Sequence, residues 1–212
     1  ALGGLGLIGA YVTPILVSSH EPSYWALYVY LAVVTAAAYA LARVRMWRWL
    51  AVTAAAFSIL WTLVGMGDPA GGSLSAHCFH AIVSYALAAF FIVAGLFQGP
   101  PSERGRFDPV SCGVLAGYLF SAFLLVISTK HEGLALITVF ALIAATVAIA
   151  WRTESAILAV PAAALVGVLA QHHICIAQYL NSPVSNITKI AYGRWYKIKA
   201  HTATFPLQVS NK

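Results

Sequence analysis

Charge is scarce in this chain. Of 212 residues only 12 are Lys or Arg and 6 are Asp or Glu, so charged residues make up 8%. A soluble domain carries about 25% charged residues, so a water-exposed surface of ordinary size cannot be built from this sequence. The shortage also excludes a disordered chain, which needs high net charge and low hydrophobicity. Cysteine is equally sparse: Cys78, Cys112 and Cys175 lie far apart and form no CxxC pair, which excludes a disulfide scaffold and leaves them as small buried hydrophobes. No basic n-region with a small-residue cleavage pattern is present, so no signal peptide is read.

Apolar residues are abundant, at 61% with a mean hydropathy of +0.83. They fall into seven runs, Leu2–Val17, Tyr24–Leu41, Trp49–Met66, His77–Phe97, Val110–Ser128, Leu134–Trp151 and Ala156–Ala170, and none contains Asp, Glu, Lys or Arg. The middle five approach the ~20 residues that a helix needs to cross the hydrocarbon layer. Lipid cannot satisfy backbone N–H and C=O groups, so such runs must be helices. The expected fold is therefore all-α, a polytopic transmembrane bundle of six to seven spans. The lipid bilayer is its first partner.

The net charge of +6 is unevenly distributed. Residues 1–171 hold seven Lys/Arg against all six acids; the segment from 181 holds Lys189, Arg194, Lys197, Lys199 and Lys212 with no acid. A nucleic-acid groove in the body is thereby excluded. Two regions follow: 1–170 as the transmembrane part, and 171–212 as a basic polar tail read as disordered or non-native. Within the body, Arg43, Arg45 and Arg48 share one break, Arg104 and Arg106 another, and Arg152 a third; the alternate breaks hold only Lys130. The positive-inside bias puts the arginine-bearing breaks in the cytoplasm. Aromatics at run ends, Tyr24, Trp25, Tyr28, Trp47, Trp49 and Trp151, suit the headgroup zone.

The opening Gly3-Gly4-Leu5-Gly6-Leu7-Ile8-Gly9-Ala10-Tyr11-Val12-Thr13-Pro14, the Glu21-Pro22 loop, the Tyr/Trp-rich helix after it and the Arg43–Trp49 basic-aromatic turn resemble the DUF2339 family of predicted bacterial polytopic membrane proteins. The resemblance covers about residues 1–170. It implies many transmembrane helices, a bacterial inner membrane location and a fragment of a longer protein whose remaining helices would be partners. It brings no catalytic residues.

Few motifs carry chemistry. Gly4-Leu5-Gly6-Leu7-Ile8-Gly9 matches GxGxxG, but no strand precedes it and Pro14 interrupts the helix that a dinucleotide site needs. Gly3, Gly6 and Gly9 instead recur as a small-residue face for helix packing, with Pro14 as a kink. His77 and His80, at i and i+3, share a helix face at the expected start of the fourth helix. With a third ligand, Asp68 first and Glu21, His20 or His131 after it, they would make a metal or proton site; otherwise they are interfacial histidines. Ser84, Tyr85, Tyr118, Ser121 and Thr138 are expected to form interhelical hydrogen bonds. No cofactor is implied, a metal ion being the alternative. The leading functional reading is a transporter or envelope-associated component for an apolar or neutral molecule. The alternatives are a membrane-embedded metal-dependent enzyme using the His cluster, and a structural or assembly module.

Overall fold

A computed structural model describes residues 2–16, 23–66, 73–93, 108–129 and 132–181. Among these the chain forms seven α-helices and no strand: α1 (Leu2–Leu16), α2 (Tyr24–Arg45), α3 (Arg48–Met66), α4 (Leu74–Phe91), α5 (Pro109–Ser128), α6 (Gly133–Arg152) and α7 (Ala159–Asn181). A short 3-10 turn, Glu154–Ala156, precedes α7. Six helices, α2 to α7, are long and apolar enough to cross a membrane, while α1 is a shorter apolar helix. The all-α, polytopic expectation holds.

The helix ends follow local chemistry. Ser23 and Ser73 cap α2 and α4 by accepting from Ala26 N and Ala76 N. Asp108 accepts from Val110 N and Ser111 N, with Pro109 at the first position of α5, where a missing N–H is harmless. Between α2 and α3 only Met46 and Trp47 intervene. Met46 is left-handed (φ 56°), and Trp47 N reaches back to Ala42 O at 2.9 Å. That closes α2 in the manner usually given to glycine. The tight turn brings Arg43, Arg45 and Arg48 to one end of the bundle.

Two boundaries depart from the sequence reading. The fourth helix begins at Leu74, so His77 lies one turn inside it and not at its first residue. The seventh stretch is not short: α7 runs 23 residues, through His172-His173 to Asn181. Pro161 sits in its first turn, where proline is tolerated.

α5 forms the centre, with Leu115, Leu119, Ala122 and Val126 fully buried. α2 packs on α3 and α4, α3 on α5, and α6 on α4 and α5, with α1 against α2 and α3. Small residues let backbones approach: Ala54, Ala76, Ala88, Ala122 and Ala135 are all 0% exposed. Large aliphatics face outward instead, among them Leu5, Val33, Ile137, Leu165 and Val168. Polar side chains turn inward, Thr35, Ser58, Ser84 and Thr146 being 0% exposed. Such polarity suits a hydrocarbon surround, where a hydroxyl facing outward would find no partner.

Pro14 shows the same economy of partners. It has no N–H, so the carbonyl four residues earlier, on Ala10, lacks its helical donor. The Tyr30 hydroxyl on α2 donates to that oxygen at 3.0 Å. Trp61 Nε1 on α3 donates to the adjacent Tyr11 carbonyl at 3.1 Å. The proline thus becomes a cross-link between helices. The expected small-residue face is less engaged: a Cβ at Gly6 or Gly9 would meet nothing within 4 Å, while one at Gly4 would make ordinary contact with Trp49. The side-chain surroundings of Gly3 lie outside the described residues.

A double-mutant cycle checks the Pro14 account. Tyr30→Phe should lower stability in detergent by about 0.5–1 kcal/mol in the wild-type background. It should cost almost nothing beside Pro14→Ala, where residue 14 supplies its own N–H. Equal costs in both backgrounds would show that Tyr30 does not serve the freed carbonyl.

Candidate functional site

The described interior of the bundle holds several hydrogen-bonded clusters of hydroxyl and imidazole groups, joined in part by ring contacts. The first joins α2, α3 and α4. The Tyr28 hydroxyl and His77 Nδ1 are hydrogen-bonded at 2.5 Å. The Tyr28 ring also stacks on His80, with centroids 4.5 Å apart and planes 14° from parallel, and meets His77 edge-on. Tyr28 is 0% exposed, so it belongs to the interior and not to the aromatic belt expected for it.

His80 is held on both sides. Its Nε2 lies 3.1 Å from the Ser58 carbonyl, which can only accept, so Nε2 carries the proton and donates. In the neutral ring Nδ1 then accepts, and Ser84 Oγ lies 3.4 Å from it. Ser84 in turn accepts from Ser58 Oγ at 2.9 Å. Ser58 hydroxyl, Ser84 hydroxyl, imidazole and Ser58 carbonyl thus close a ring of donors and acceptors. His80 is 1% exposed and His77 6%, so both are interior groups, not interfacial ones.

The second involves α5. Tyr118 interacts with Ser58 and is hydrogen-bonded to Tyr39 at 2.8 Å between hydroxyls. The Tyr85 ring stands edge-on to Tyr118, and the Tyr85 hydroxyl pairs with Thr146 on α6 at 2.7 Å. On the other side Tyr11 of α1 pairs with Thr35 of α2 at 2.6 Å. Six helices are therefore tied together by side-chain hydrogen bonds or ring contacts of buried residues.

Of the residues expected to bond between helices, Ser84, Tyr85 and Tyr118 do so. Ser121 instead bonds the Tyr118 carbonyl of its own helix, and Thr138 the Leu134 carbonyl. Thr138 also meets the Cys78 thiol from α6, which locates Cys78 on the opposite side of α4 from Ser58. Tyr11, Tyr39, Thr35, Ser58 and Thr146 carry no such expectation from the sequence, and Tyr28 is read there only as a headgroup-zone aromatic. Their signal was available: a hydroxyl well inside an apolar run must find a partner.

For the metal reading, the third ligand Asp68 lies outside the described residues, as do Glu21, His20 and His131. Among the described residues no three His, Cys, Asp or Glu side chains come together in a group able to hold a metal. His80 has both ring nitrogens engaged within the bundle.

Gly65 on α3 is what lets the Tyr28–His77 pair fit. A Cβ there would collide with the Tyr28 hydroxyl and come within 2.6 Å of His77 Cε1. By contrast a Cβ on Gly113 of α5 would meet nothing within 4 Å. Replacing a helical glycine by alanine ordinarily gains up to about 1 kcal/mol. Gly113→Ala should follow that rule. Gly65→Ala should reverse it, lowering stability by about 1–3 kcal/mol through overpacking. Thermal unfolding followed by circular dichroism in detergent measures both, and a stabilising Gly65→Ala would refute the close approach.

The family model described as "Predicted membrane protein (DUF2339)" matches residues 1–183. The match passes Ala170 and takes in the whole of α7. No curated protein and no solved structure matches the chain.

Proposed function

Because the chain belongs to the DUF2339 family of membrane proteins, we propose that it handles an apolar, chain-bearing molecule along its lipid-facing side and not a solute through its centre. This is the envelope-associated form of the reading made from composition. The bias of arginines to alternate connections supports a bacterial inner membrane, with the Arg43–Arg48 end cytoplasmic.

One observation carries the proposal. The middle of the bundle is filled by small residues and by polar groups bonded to one another, while its flanks are open. A groove of about 430 Å³ runs between α4 and α6, lined by Ile82, Ala86, Ala89, Phe90, Leu142 and Ala145. Another, about 390 Å³, runs between α3 and α5, lined by Val52, Ala55, Ile59, Val110, Gly113 and Val114. Both linings are almost wholly hydrocarbon, the chemistry that accepts an acyl or isoprenoid chain and offers nothing to a sugar or an ion. A metal-dependent enzyme has weaker support, since the His80 lone pair is directed at Ser84. Solute transport would need the central hydrogen bonds to open.

The test uses protein in lipid vesicles and a long-chain alkyl diazirine, a photoreactive hydrocarbon without a headgroup. Cross-links should concentrate at groove residues such as Phe90 and Ile59 relative to Ile137, which is 67% exposed on the outer surface. Ala145→Phe should fill the α4/α6 groove and lower labelling there alone. Uniform labelling, or protein-dependent uptake of a neutral polyol into the vesicles, would overturn the reading.

A further inference from the structure

At the arginine-bearing end a separate, smaller pocket of about 110 Å³ lies beside the α3/α5 groove, apolar over most of its lining but carrying Arg43, Arg48 and Asp108 together with Met46 and Trp47. Val110 lines both spaces. An apolar trough therefore shares a wall, Val110, with a mouth that carries two guanidinium groups and one carboxylate. We infer that this composite is a binding site for an anionic phospholipid, with the phosphate at Arg48 and Arg43 and one acyl chain in the α3/α5 groove. The inference rests on the groove reading above and names its ligand.

The charges complement such a molecule. Asp108 is turned toward the start of α5, accepting from Val110 N, Ser111 N and, at 2.7 Å, Ser111 Oγ. Its pair with Arg48 is long, Nη1 to Oδ1 3.7 Å, and the Arg48 side chain is 76% exposed. The carboxylate thus steadies the guanidinium without enclosing it, and the Arg48 side chain stays exposed. Arg43 is anchored from the other side, Nη1 donating to the Phe91 carbonyl at 3.5 Å. A guanidinium fork matches two phosphate oxygens. Trp47, Trp49 and Met46, exposed on the same turn, place the mouth at the depth where phosphates lie. A soluble phosphate would use the mouth alone; the adjoining trough selects a molecule that brings its own chain.

The groove has room by virtue of Gly113, and Arg48 can be changed without disturbing the interior. Native mass spectrometry of the detergent-purified chain would compare retention of phosphatidylglycerol with phosphatidylcholine of identical acyl chains. Wild type should retain the anionic lipid about fivefold more strongly, the effect of roughly one well-placed arginine. Arg48→Gln should bring the two lipids to within about twofold, lowering phosphatidylglycerol more than phosphatidylcholine, whose phosphate is already neutralised by its own choline cation. Gly113→Leu should lower both. Equal retention of the two lipids by wild type, or an undiminished preference in Arg48→Gln, overturns the headgroup assignment. If Gly113→Leu still lowers both in that case, the groove reading survives on its own. If Gly113→Leu affects neither lipid, the groove reading fails and takes this inference with it.

Discussion

The governing constraint is that a hydrocarbon surround offers no hydrogen bonds. Each buried polar group must find a partner inside the protein, and the positions of the partners then dictate which helices touch. Around His80 the constraint closes a ring through Ser58 and Ser84. At Pro14 it recruits a tyrosine from another helix to a carbonyl that the proline left bare. It pairs hydroxyls of α2 and α5 at Tyr39 and Tyr118, and of α4 and α6 at Tyr85 and Thr146. Apolar packing shapes these contacts but would not by itself choose among rotations of an Ala- and Leu-rich helix, because lipid tails are as apolar as leucine. Hydrogen bonds of this kind are each worth only about 0.6 kcal/mol on average in a membrane. Their number and direction specify one arrangement.

Much of the fold was legible in the sequence for the same reason. Charge-free runs of near-span length leave helix as the sole solution, and the runs from Tyr24, Trp49, Val110 and Leu134 begin within one residue of the helices they announce. The apolar run from His77 starts three residues after the fourth helix because Leu74-Ser75-Ala76 reads as loop, while Ser73 in fact caps it. The seventh was cut short because His172-His173 and Gln171 lower the local hydropathy. A helix can nonetheless continue through residues that only one turn of it presents. A run of hydrophobicity reports where lipid lies, and a helix ends only where its backbone bonds end.

The interior network was only partly legible. Ser84, Tyr85 and Tyr118 stood out as polar residues within apolar runs, yet which of them reach across to a neighbour depends on helix rotation, which composition does not record. Ser121 and Thr138 satisfy themselves on their own helices. Tyr28 was masked by its position near a run end, where tyrosine usually marks the interface. Gly65 carried no signal at all: a single glycine near a helix end is unremarkable until two side chains from other helices are seen to meet against it.

Tyr28 has a mechanical consequence. Its ring is gripped by His80 and His77 of α4, and its hydroxyl abuts the bare backbone of α3 at Gly65. Sliding α2 along α4 by a single turn would part the hydroxyl from His77, and sliding α3 along either would press a side chain at another position against it in place of Gly65. That contact resists sliding of α2, α3 and α4 past one another.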